Sequence, residues 1–117
     1  MSKPLVNQIS ARARALVGDP ATWTQYTLAL TRNNRDCDPT DPRAARFCAY
    51  GALVRAAFEL TADRDKARTL AGEAAMAMTG RETPEEAYEE LYAINDGPRR
   101  SSRIAIMSLF DASLQRV

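Results

Sequence analysis

Residues 47–54 read FCAYGALV, a stretch with no polar face at any helical or extended spacing. A surface helix shows one apolar stripe and one polar side, so a run that is apolar all round must be covered by neighbours on every side. This stretch is therefore expected to lie in the middle of the molecule. Its punctuation sets its length: Asp41-Pro42 is a favourable helix start, and the pattern continues to Leu60. The expectation is a buried central helix over about 42–60.

The other helices follow from clear stops. In residues 4–18, Leu5, Val6, Ile9, Ala13 and Leu16 recur at helical spacing and Gly18 terminates them. Asp19-Pro20 then suggests a short helical turn toward Trp23. Within 24–31, Tyr26, Leu28 and Leu30 alternate with Thr27, Ala29 and Thr31, which favours a short strand or extended segment. Ala67, Leu70, Ala71, Ala74 and Met78 form one stripe closed by Gly80. Thr83, Pro84 and Glu86 form a capping box with proline in the first turn, and Gly97-Pro98 ends the helix that follows. Ile104, Met107, Phe110, Leu114 and Val117 supply the stripe of a last helix. The fold class is thus mainly α: a compact bundle of four to five helices forming one domain over residues 1–117, with residues 31–41 as its one long connection.

Composition narrows the chemistry. Apolar residues make up 45% and charged residues 26%, the balance of a globular chain, and the formal net charge is +1. No global field draws such a molecule to nucleic acid, so nucleic-acid binding is not expected. No stretch approaches the ~20 apolar residues that span a bilayer, and Arg12 and Arg14 make the N-terminal segment too charged for a signal peptide. A cytoplasmic location with no membrane contact is the expectation. The chain has no histidine, which removes the commonest general base, metal ligand and partner of a nucleophile. Two cysteines, Cys37 and Cys48, are too few for a disulfide framework or a zinc site; in a reducing compartment they stay free thiols.

Cys48 is the first candidate for chemistry. Arg43 and Arg46 lie nearby, but no histidine can deprotonate the thiol and Phe47, Ala49 and Tyr50 point to burial. Cys48, Gly51 and Ala52 instead read as a small-residue face that lets another helix approach closely. Gly51 needs such a reason, because glycine costs about 1 kcal/mol against alanine inside a helix. The acidic loop DCDPTD offers Asp36, Asp38 and Asp41, yet Arg32 and Arg35 oppose a cation and two of the aspartates precede proline; no metal and no cofactor are expected. The junction NDGPRRSSR sets Arg99, Arg100 and Arg103 around Ser101 and Ser102 at a helix start. Free N–H groups and arginines there could hold an anion, or the arginines could pair with the acidic segment before them. Asn95 and Asp96, before Gly97-Pro98, suit a turn and cap or a polar site shared with Cys48. The aromatics Trp23, Tyr26, Tyr50, Tyr88 and Tyr92 read as core or rim residues. The last helix carries Ile104, Ile106, Met107, Leu109 and Phe110 on more than one side, which suits self-association as a homodimer.

A tryptophan, a polar loop, RFCAYGAL and then AINDGPRRSSRIAIMSLF, in that order, resemble a group of small bacterial and phage-associated proteins of uncharacterised function. In that group a Trp, an (F/W)C-x-x-GAL helix and a (W/I)ND segment precede a final helix. The matching positions are Trp23, Cys48, Gly51, Ala52, Leu53, Asn95 and Asp96. This chain has Ile94 where the group often has tryptophan, and its 31–41 loop is longer. The resemblance implies no activity. The functional expectation is a non-catalytic module that oligomerises or binds a partner. The alternative is a small enzyme or ligand-binding protein that recognises an anionic group near residues 95–103.

Overall fold

The computed structural model describes residues 3–115, with side chains from 4 to 114. Five helices and one small sheet occur in the order α1 (Lys3–Gly18), β1 (Ala29–Thr31), β2 (Ala44–Phe47), α2 (Ala49–Thr61), α3 (Arg64–Thr79), α4 (Pro84–Asn95) and α5 (Arg99–Gln115). The mainly helical class is as expected. α2 packs against α1, α3, α4 and β2, and Ala49, Gly51, Ala52, Leu53, Val54, Ala56 and Ala57 along it are buried. The all-round apolar run is the centre of the molecule.

Local signals set most helix ends. Asp63 accepts from the N–H of Lys66 at the start of α3, and Gly80 closes that helix in the left-handed conformation at φ 74°. Thr83 accepts from the Glu86 N–H at the start of α4, and its hydroxyl donates to the Glu86 carboxylate at 3.2 Å, a side-chain contact in place of the backbone bond of a full capping box. The expected inward stripe of α3 is buried in full.

Three expectations need correction. The central helix does not begin at Pro42: residues 44–47 are strand, and Cys48 is the cap before α2. Asp41 does start a turn, its carboxylate accepting from the Arg43 N–H at 2.8 Å, but Asp-Pro opens turns as readily as helices. Beyond it the strand wins because Phe47 has ladder partners on both sides. It pairs with Ala29 of the antiparallel β1, and its N–H and C=O bond the Thr22 carbonyl and the Thr24 N–H. Asp19-Pro20 likewise makes a turn and not a helical start, with Asp19 accepting from Ala21 at 2.9 Å. In the 24–31 segment only residues 29–31 are strand; Trp23 forms an isolated parallel bridge to Phe47.

α5 buries a face other than the expected stripe. Its buried face is Ser102, Ile106, Phe110 and Ser113, at i, i+4, i+8 and i+11, while Ile104 is 62% exposed. Ile104 lies about 160° around the helix from Ile106, so a register led by Ile106 turns it outward. Val117 lies outside the described residues. No helix among the described residues is long and apolar enough to cross a membrane.

The 31–41 connection is built, not slack. Leu30 bridges to Asp36 and the Cys37 N–H bonds Ala29. Asp38 accepts from the Thr40 N–H and hydroxyl and pairs with Arg68 of α3. Arg55 of α2 donates to the carbonyls of Pro39 and Asp41.

Candidate functional site

The residues singled out in the sequence meet where α4 ends and α2 begins. A helix start leaves N–H groups without intrahelical partners, and in a buried helix each must be met by another protein group. At α2 the Ala49 N–H donates to Asn95 Oδ1 at 3.0 Å, the Gly51 N–H to Cys48 Sγ at 3.3 Å, and the Ala52 N–H to the Cys48 carbonyl at 2.8 Å. The Cys48 N–H donates to the Leu28 carbonyl at 3.2 Å.

Asn95 is completely buried and uses its full bonding capacity. Its Oδ1 also accepts from the Trp23 indole N–H at 2.8 Å, and its Nδ2 donates to the Thr24 carbonyl at 3.1 Å and to Asp96 Oδ1 at 3.0 Å. Asp96 Oδ1 in turn accepts from the Tyr26 N–H at 2.8 Å, which holds Tyr26 at φ 69°. Gln25 Nε2 donates to the carbonyls of Asn95 and Gly97 at the end of α4. Residues 23–26 thus wrap the end of one helix while Asn95 caps the start of another. The Trp, Cys and Asn-Asp positions, far apart in the chain, form one hydrogen-bonded knot.

The knot leaves little room for reactivity at Cys48. Burial pushes its thiol up to about 11, against the lowering effect of the Gly51 and Tyr50 N–H groups, so it stays protonated at neutral pH. Burial also raises the partly buried Cys37, with Asp41 adding to the effect. Both cysteines are free. The small-residue face serves close approach, but the neighbour is a strand lead-in and not a helix: a Cβ on Gly51 would sit 1.9 Å from the Leu28 carbonyl oxygen.

The basic junction opens α5, and its arginines diverge. Arg99 lies over the Trp23 ring, 4.9 Å from guanidinium carbon to centroid. Arg103 donates to the Gly18 carbonyl at 2.8 Å, satisfying the end of α1. Arg100 is exposed, Ser101 hydrogen-bonds the Pro98 carbonyl, and Ser102 is buried with its hydroxyl beside Gly97. Two of the three arginines are thus engaged with different parts of the fold. In the acidic loop, Asp38 and Asp41 serve turns and ion pairs, which hold both carboxyls below the usual range despite the opposing effect of burial at Asp38. Among the described residues no group of three or more His, Cys, Asp or Glu is placed to hold a metal.

Sequence reading missed the roles of Gln25, Arg55 and Arg68, whose partners lie 70–72, 14–16 and 30 positions away, beyond any local pattern. It also passed over Tyr88 and Tyr92 as a pair, although their i, i+4 spacing was a usable signal.

A model of the family of unknown function DUF6197 matches residues 1–113. The chain belongs to that family. No curated protein and no solved structure matches it.

Proposed function

We propose that this chain is a non-catalytic helical module that works by presenting a surface to a partner. The observation that supports this most is the knot at Asn95. The residues best equipped for chemistry, Cys48 and the Asn95-Asp96 pair, are committed to closing the ends of α2 and α4 and to holding Trp23. A thiol held near 11 and a neutral amide with four bonds offer neither nucleophile nor base.

Self-association is the form of binding favoured by the outer side of α5. Ile104 stands exposed beside a groove of about 290 Å³ lined by Arg103, Ile104, Met107, Ser108 and Asp111. A reducing, cytoplasmic setting for the two free thiols belongs to the same proposal.

Two measurements test it. Iodoacetamide added to the native protein should modify Cys48 no faster than the protein opens; rapid stoichiometric labelling at neutral pH would overturn the non-catalytic reading. Light scattering at two concentrations should show a dimer that Ile104→Glu converts to monomer. A wild-type monomer throughout removes self-association and leaves accessory binding.

A further inference from the structure

One face of α4 carries an aromatic ladder that the knot does not use. Tyr50 of α2 meets Tyr88 edge-on, with ring centroids 4.7 Å apart at 74°, and Tyr88 stacks on Tyr92 at 5.7 Å and 26°. All three rings are half-buried, and none of their hydroxyls bonds another described residue. Beside Tyr50 and Tyr88 opens a groove of about 300 Å³, completed by Leu28, Arg68, Pro84 and Glu85.

The rim of this face is acidic. At about 100° per residue, Glu85, Tyr88, Glu89 and Tyr92 fall within an arc of about 100°, away from the buried Ala87 and Leu91. Glu85 and Glu89 are exposed, and neither enters an ion pair among the described residues. Arg68, the cation at the groove, is already paired with Asp38. The face therefore combines π surface with uncompensated negative charge.

We propose that this face docks an arginine- or lysine-bearing segment of a partner protein, one cation lying against the Tyr88–Tyr92 stack with Glu85 and Glu89 as its counter-charges. The proposal rests on the binding-module reading and names its partner's chemistry. Aromatic faces attract cations through the ring quadrupole, and stacked tyrosines offer that surface at little cost in rotamer freedom. The acidic rim repels phosphate groups, which disfavours nucleic acid and anionic lipid. A groove of this size lies at the lower limit for a small-molecule site but accommodates a long side chain.

The test uses the full chain and a short fluorescein-labelled peptide alternating arginine with glycine, alongside its glutamate counterpart, read by anisotropy at low and moderate salt. The arginine peptide should bind with an affinity that falls as salt rises, and the glutamate peptide should not bind. Tyr88→Leu should weaken binding about two- to fivefold. The exposed pair Glu85→Gln with Glu89→Gln should weaken it at low salt, whereas Asp65→Asn, the loss of one exposed charge on α3, should not. Should Tyr88→Leu prove unfolded, the glutamine pair decides. No binding of the arginine peptide, equal binding of the glutamate peptide, or full affinity in the variants overturns the proposal. Self-association without peptide that is lost in the glutamine pair overturns it too, since the occupant is then a second copy. Failure here with Cys48 still inert to iodoacetamide leaves the non-catalytic reading standing.

Discussion

Replacing Asn95 with alanine should be among the most damaging single changes in this protein. The side chain is completely buried and makes four hydrogen bonds. Asn95→Ala orphans the Trp23 indole N–H, the Ala49 N–H at the start of α2 and the Thr24 carbonyl. Asp96 is spared most of the effect, because it is only partly buried and still holds the Tyr26 N–H. Each buried orphan costs about 1–3 kcal/mol. Allowing for partial relaxation, three of them give about 3–6 kcal/mol, against roughly 5–15 kcal/mol for the whole stability of an ordinary domain. For a chain of this length the melting temperature should fall by roughly 10–25 °C. Trp23 is the chain's one tryptophan and is 2% exposed, so its fluorescence reports directly on the knot. Urea titrations followed at that signal give the free energy for Asn95→Ala, and a cycle with Trp23→Phe, followed by far-UV circular dichroism because that variant has no tryptophan, isolates the indole bond. Asn95→Ala should cost about 1–3 kcal/mol less in that background, because the orphaned N–H is gone. A loss below about 1 kcal/mol for Asn95→Ala alone would refute the reasoning, since the orphaned groups would then have found other partners.

Two further changes separate backbone effects from packing. Gly51→Ala gains about 1 kcal/mol in helix propensity, but its Cβ would meet the Leu28 carbonyl at 1.9 Å, and moving that carbonyl breaks its bond to the Cys48 N–H. A net destabilisation of about 3 kcal/mol or more is expected by chemical denaturation, and a neutral result would show that the strand lead-in yields easily. Ala62, the exposed cap of α2, sits in the left-handed region at φ 54°, where a Cβ is unfavourable. Ala62→Gly should therefore stabilise by up to about 1 kcal/mol, seen as a higher melting temperature, if the native strain outweighs the extra freedom glycine gives the unfolded chain.

Local chemistry in the sequence decided the helical class and most helix ends. Asp63, Gly80 and the Thr83–Glu86 pair act within four residues of themselves, so their meaning travels with the chain. The apolar run from Phe47 to Val54 foretold a central position for the same reason: no solvent-facing side exists in any register. The switch at Cys48 was not legible. By propensity AARF favours a helix, and it is extended only because Thr22, Thr24 and Ala29 supply a ladder from distant parts of the chain. The same limit applies to the site. The sequence marks Trp23, Cys48 and Asn95-Asp96 as unusual, but hydrogen-bond capacity is consumed by partners 46–72 positions away. Only the tertiary structure could turn a set of plausible reactive groups into a closed knot, because whether a polar group is free or satisfied depends on the neighbours that folding brings to it.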